Sequence, residues 1–225
     1  MNKFKISLFI RHISLKINHN FQFFLQVKHQ IMKTNTSTLT ESDLLRKAEI
    51  ENYRILKDQK LGNPAISPLS SEKLQTFAGL KYFEIDFRFS SRGIIRHNEP
   101  GKFVELPMSG GGKVKFEEFG TVSFKLLDKT FTLSIFKNQN LTEFTENPDQ
   151  LFIPFKDATS GNETYANGRY LPLSISSVET EVVIDFNKAI NPYSAYNEAF
   201  VSVNPASSPL LEVSMISGER RYEDR

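Results

Sequence analysis

Between Thr40 and Pro64 the apolar residues Leu44, Leu45, Ala48, Ile55 and Leu56 recur near helical spacing among charged neighbours. Thr40 stands where an N-cap belongs, Glu41 and Asp43 lie over the first turn, and Gly62 followed by Pro64 stops the run. The pattern predicts a helix near 41–60 with one modest apolar stripe, packed along the outside of a larger fold. The Asn63-Pro64 and Ser67-Pro68 pairs then signal turns, and Ser71-Glu72-Lys73-Leu74 predicts a single helical turn. From Tyr82 the period changes to two. Phe83, Ile85, Phe87 and Phe89 alternate with Glu84, Asp86 and Arg88, which predicts a strand with one wet face. Further strand-like runs fall at 103–108, 113–117, 120–127, 130–136, 151–155, 168–173, 178–186 and 211–216, with turn residues between them. The pair around Asp128-Lys129 predicts a hairpin with Phe131, Leu133 and Ile135 on one face. The expected class is mainly β: a single antiparallel β-sandwich or barrel-like domain over 32–225, preceded by an N-terminal α-helix.

Composition supports one ordinary core. A chain of 225 residues buries about 70% of its unfolded surface without staples. Phe is frequent at 20 and Trp absent, so Phe carries the packing. No cysteine is present, which excludes disulfides, thiolate metal sites and a cysteine nucleophile. The formal charge of +2 hides an asymmetry, because the first 33 residues hold six Lys/Arg and no acid. The remainder carries 22 basic against 26 acidic residues, a mildly acidic body that gives no electrostatic case for nucleic acid.

Residues 1–31 differ from the rest. Ile6–Ile10 is cut short by Arg11 and His12, too short an apolar stretch for a signal peptide or a transmembrane segment. Three readings apply: a basic amphipathic membrane-surface helix, a poor targeting sequence, or a disordered tail or start-site artefact with translation beginning at Met32. The break in composition at Met32, with His12, His19 and His29 before it, favours the third. Without a credible targeting signal the default address is cytoplasmic.

Catalytic signatures are missing: there is no G-x-S-x-G and no H-E-x-x-H. Gly110-Gly111-Gly112 lacks the strand-to-helix setting of a phosphate loop and predicts a hairpin tip. His97 sits among Arg96, Asn98 and Glu99 before Pro100 and predicts a solvated loop histidine. Polar density gathers instead in "FKDATSGNETYANGRYLPL" (155–173), "DFNKAINPYSAYN" (185–197) and "SGER" (217–220). Asp157 and Thr159 suit Asx and Ser/Thr turns, while Gly161 and Gly168 permit positive φ. Arg169 needs several acceptors if buried, and Asp157 or Asp185 could supply one.

In order and spacing these three patches resemble the bacterial and archaeal family known as domain of unknown function 1684. "SPL" at 67–69 and "FAGLKYFEIDFRF" at 77–89 resemble that family's opening segment. The resemblance covers about residues 42–220 and implies a single-domain, mostly β protein without an assigned activity. Relatives often carry cysteine where Ser194 and Ser202 stand, and an acidic-Asn pair where Ser208-Pro209 stands. The double change to serine removes any essential metal or redox role for those positions in this chain and fits the loss of a paired cross-link or packing contact.

Two functions follow. In the first, Asp157, Thr159, Thr164, Tyr165, Arg169, Asp185, Asn187, Tyr196 and Glu219 line a pocket for a small anionic molecule. Arg169 holds the anion, Tyr165 and Tyr196 give flat walls, and any hydrolysis uses Asp157 or Glu219 as acid or base. A hard cation on the same carboxylates is a variant of this reading. In the second, the same residues form a buried polar network in a non-enzymatic structural or interaction module. Neither a cofactor nor an oligomeric state is specified by the sequence.

Overall fold

A computed structural model describes residues 40–138, 150–174, 179–205 and 210–222; the expectations for 1–31, Met32 and Ser208-Pro209 lie outside the described residues. Two compact units are distinguished, Met1–Asn52 and Tyr53–Arg225, and helix α1 (Glu41–Leu61) begins in the first and ends in the second. In the first unit the start of α1 is a reciprocal cap. The Asp43 amide donates to Thr40 Oγ1 at 3.1 Å, while the Thr40 amide and hydroxyl donate to Asp43 Oδ2 at 3.2 and 2.7 Å. That hydrogen bonding holds the Asp43 carboxyl below the usual carboxylate range.

The second unit is built on one antiparallel sheet. Its strands are β1 (Ser90–His97), β2 (Phe103–Pro107), β3 (Lys113–Leu126), β4 (Lys129–Lys137), β5 (Leu151–Phe155), β6 (Arg169–Leu173) and β7 (Glu181–Asp185). They lie in the order β6-β5-β4-β3-β1-β7, with β2 added on β3, and the sheet curls into a half-barrel. After β7 a 3-10 turn (Phe186–Lys188) brings Ile190 beside Tyr170 of β6, where the two residues exchange backbone hydrogen bonds of 2.8 and 2.9 Å. One bridge thus links the far flanks of the sheet. The mainly β, barrel-like expectation with its N-terminal helix holds.

Phenylalanine does carry the packing. Phe89, Phe124, Phe155 and Phe186 share a cluster with Val122, Ile135, Ile153, Leu171 and Met215, with Phe155 and Phe186 edge to face at 5.1 Å. Phe116, Phe136, Phe152 and Tyr170 form a second cluster. All five residues of β5 are buried, Phe152 in the second cluster and Leu151, Ile153 and Phe155 in the first, which explains its unbroken apolar run. A third cluster joins Leu61 at the end of α1 with Leu69, Tyr193 and Tyr196, next to the short helix α2 (Ser71–Gln75).

Several boundaries differ from expectation. The alternating run 82–89 is not a strand: only Tyr82 pairs, in an isolated bridge to Glu219, and Phe87–Phe89 is a 3-10 turn. Its backbone is claimed by side chains, since Asn187 bonds both the amide (3.0 Å) and the carbonyl (2.9 Å) of Asp86, and Asp86 Oδ1 accepts the Arg88 amide. The strand begins at Ser90, in a polar stretch that hides it, and Gly93 belongs there because a Cβ would lie 2.5 Å from Val122. The runs 113–117 and 120–127 are one strand with an irregular register between Glu118 and Gly120, where a Cβ on Gly120 would meet the Arg96 carbonyl at 2.4 Å. Of the run 178–186, the described part 179–186 keeps Glu181–Asp185 as strand. The run 211–216 keeps only a bridge from Leu211 to Asp157; its Val213 carbonyl accepts from the Ala158 amide and its Met215 carbonyl serves the guanidinium described below. His97 ends β1 rather than occupying a loop; its Nε2 lies 2.6 Å from the Glu179 carbonyl oxygen and its ring packs edge-on against Phe119.

Candidate functional site

The three polar patches converge. Gly168, at φ +89, turns the chain into β6, and the next residue, Arg169, is fully buried. Its Nη1 donates to the carbonyls of Ser217 (2.5 Å) and Glu219 (3.1 Å), and its Nη2 to the Met215 carbonyl (2.8 Å) and to Asp157 Oδ2 (3.1 Å). Nε, the fifth donor position, has no partner, and the guanidinium lies over the Phe155 ring at 5.3 Å. Burial pushes the guanidinium pKa down, while Asp157 and Glu219 draw it back up.

Asp157 Oδ1 accepts from the Thr159 amide (2.8 Å), the Thr159 hydroxyl (2.6 Å) and the Met215 amide (3.2 Å). Thr159 in turn meets the Thr164 hydroxyl at 2.8 Å. On the other side, Ser217 Oγ donates to Asn187 Oδ1 (3.1 Å), and Asn187 Nδ2 donates to Asp185 Oδ1 (2.8 Å). The Asp185 carboxylate therefore joins through Asn187 and Ser217 rather than by pairing with Arg169.

Glu219 is fully buried. Its Oε2 accepts from Tyr196 (2.5 Å) and the Asn191 amide (2.8 Å), and its Oε1 faces Lys57 Nζ at 3.3 Å in an ion pair without hydrogen-bond geometry. Burial and the Glu219 charge hold the Tyr196 hydroxyl well above the usual phenol range, and the same two causes raise Tyr53 and Tyr82. Asn191 Oδ1 is a second buried acceptor without a partner.

Eight of the nine expected residues, all but Tyr165, thus fall in one hydrogen-bonded set. Tyr165 stands apart and half-buried, donating to the Ser194 carbonyl at 3.3 Å. The Ser194 amide donates to Ser202 Oγ at 3.3 Å, so the two positions where relatives often carry cysteine adjoin.

Tyr165 and Tyr196 line an open cleft of about 450 Å³ with Ser70, Lys73, Ser194 and Tyr222, and Glu198 stands at its exposed rim. Lys73 Nζ donates to the Tyr196 carbonyl at 3.1 Å and lies 5.6 Å from the centre of the Tyr222 ring. Sequence reasoning missed Lys57, Lys73, Asn191, Ser217 and Tyr222. Asn191 and Ser217 stood inside recognised patches; the lysines carried no signal, since each reaches the site from a helix far away in the chain. Among the described residues no group of three or more His, Cys, Asp or Glu side chains is arranged to hold a metal. Among the same residues no helix is long and apolar enough to cross a membrane.

The family described as "Protein of unknown function (DUF1684)" matches residues 75–220. The solution NMR structure of an uncharacterized protein from Haloarcula marismortui is similar at 28% identity and a TM-score of 0.60, over 81% of this chain and 97% of that one. No curated protein matches the chain.

Proposed function

We propose that this chain, which belongs to the DUF1684 family of proteins of unknown function, binds a small anionic molecule in the cleft beside its buried polar network. The observation that carries the reading is the placement of Lys73: its ammonium is fixed by the Tyr196 carbonyl and lies beside the Tyr222 ring on the wall of a cleft of about 450 Å³. A volume of several hundred Å³ with aromatic walls and a placed positive charge is the usual make-up of a small-molecule site, and the Glu198 carboxylate stays at the exposed rim. Ligand contact falls to Tyr165 and Tyr222, while Tyr196, buried with its hydroxyl on Glu219, acts through the carbonyl that holds Lys73. The positive charge that faces the ligand is Lys73 rather than Arg169, whose Nη1 and Nη2 donors are committed to four protein oxygens. Asp157, Thr159, Thr164, Arg169, Asp185, Asn187 and Glu219 hold the floor, and Glu219 fixes Tyr196 and through it Lys73. Binding is the proposed activity, with no chemical step attached.

Benzoate, inorganic phosphate and other small anions are titrated by thermal shift and calorimetry, because a ligand that binds only the folded state raises its apparent stability. Benzoate is expected to bind saturably and raise the Tm, and Lys73→Ala to weaken it at least about tenfold with little change in the unliganded Tm. No saturable binding of any anion, or equal binding by Lys73→Ala, refutes the cleft and leaves the network as a purely structural device.

A further inference from the structure

The main path of the sheet ends at β6 and at β7, and the two ends are finished differently. On β6, Tyr170 exchanges backbone hydrogen bonds with Ile190, and Pro172, the next residue facing that way, has no N–H to offer. On β7 the row is open. The Ile95 amide donates to the Thr180 carbonyl at 2.8 Å, so strand alternation turns the backbone groups of Val182 and Ile184 toward β1 and those of Glu181 and Val183 away from it. Among the described residues nothing pairs with those outward groups.

The side chains along this edge are as informative as its backbone. Val183 and Ile94 are each 57% exposed, more than any other large apolar side chain among the described residues. They share one face: Val183 stands opposite Arg92 and Ile94 opposite Glu181, which makes them diagonal neighbours. Glu181 meets Arg92 only at 3.9 Å, with both side chains largely exposed, a contact too loose to hold its carboxylate. A second copy of β7 does not suit this edge. In full antiparallel overlap about Val183 it sets Glu181 of each copy opposite Asp185 of the other, acid against acid. A cation opposite Glu181 meets no such conflict. We infer that β7 accepts an extended segment of a partner protein as an added antiparallel strand, with a β-branched residue opposite Val183 and, two positions later, a lysine or arginine opposite Glu181. Open N–H and C=O groups supply the attachment, and the Val183 and Glu181 side chains set the register.

The test uses NMR on the full chain and a threonine heptapeptide with valine third and lysine fifth. In the free protein, amide hydrogen exchange is expected to be fast at Glu181 and Val183 and slow at Val182 and Ile184, which β1 covers. Added peptide is expected to shift the Glu181 and Val183 amide signals saturably and to slow their exchange. Glutamate in place of the peptide's lysine is expected to weaken binding at least about threefold, and Glu181→Lys to reverse that preference. N-methylation of the peptide's valine removes the N–H aimed at the Val183 carbonyl and is expected to abolish binding. Slow exchange at Glu181 and Val183 in the free chain means the edge is already covered, and overturns the inference. So does a lack of saturable shifts, equal binding of the lysine and glutamate peptides, or binding that survives N-methylation.

Discussion

Replacing Arg169 by alanine tests the central feature of the fold. The side chain is fully buried and its two terminal nitrogens serve four oxygens, three of them backbone carbonyls between Met215 and Glu219. Removal strands Asp157, which is 2% exposed and keeps three donors but loses the only counter-ion within salt-bridge distance among the described residues. Breaking a buried pair from one side costs about 3–5 kcal/mol, and orphaned carbonyls add about 1 kcal/mol or more each unless water reaches them. A loss of at least about 4 kcal/mol is expected, or roughly 10 °C in Tm for a chain of this size. Urea unfolding gives the midpoint and slope, and an unchanged slope shows that the loss belongs to the native state. The pair is isolated by adding Asp157→Asn alone and together with Arg169→Ala. The double variant should lose at least about 1 kcal/mol less than the sum, because each single change leaves a group the other no longer needs. A loss under about 1 kcal/mol for Arg169→Ala, or strict additivity, refutes the assignment of Arg169 as the pin of the network.

Three other outcomes follow from the backbone geometry and the buried tyrosines. The β3–β4 turn places Leu127 and Asp128 at φ 48 and 62, a hairpin geometry that suits Asn-Gly, so Leu127→Asn with Asp128→Gly should raise stability by about 1 kcal/mol in urea unfolding; a loss refutes the turn. Gly168→Ala should cost at least about 2 kcal/mol by the same assay, since its φ is +89 and a Cβ would lie 2.5 Å from the Phe155 carbonyl oxygen; near-neutrality refutes that close approach. Tyr53, Tyr82 and Tyr196 have folded-state pKa values raised above the usual phenol range by burial and the Glu219 charge, so their contribution is complete below about pH 10 and is lost as pH rises above it. Tyrosinate absorbance from these residues should therefore appear together with alkaline unfolding; their free titration in a folded protein refutes their burial around Glu219.

What the sequence made legible depended on where each backbone group finds its partner. The hairpin of β3 and β4, the buried run of β5 and the capped start of α1 use local chemistry, and their residues announce them. The run 82–89 alternates as cleanly as a strand, yet Asp86 gives its amide and carbonyl to Asn187, about a hundred residues on, and no period in the local sequence reports that. β1 shows the converse: Ser90, Ser91, Arg92 and Gly93 look like a loop and become a ladder because β7 pairs with all four and β3 joins on the other side from Gly93. The segment 211–216 has the composition of a strand and is denied that role by a guanidinium that takes the Met215 carbonyl.

The same distinction separates the network from the cleft. Asp157, Thr159, Arg169, Asn187 and Glu219 were found because a buried polar set must satisfy itself, so each member implies others. Lys73 and Tyr222 are brought together only by the fold, at Tyr196: Lys73 donates to its carbonyl and the Tyr222 ring packs edge-on against its ring at 5.3 Å. Tyr196 belongs to both groups, with its hydroxyl on Glu219 and its carbonyl on Lys73. Through that one residue the buried charges reach the surface: Arg169 fixes the backbone at Glu219, the Glu219 side chain fixes the Tyr196 ring, and the Tyr196 backbone fixes the ammonium. A binding group held this way gives up little rotamer freedom when a ligand arrives, because the core has already restricted it. If the proposed cleft binds an anion, a fully buried arginine whose two terminal nitrogens are committed to protein oxygens matters to binding without touching the ligand, by setting the position of Lys73.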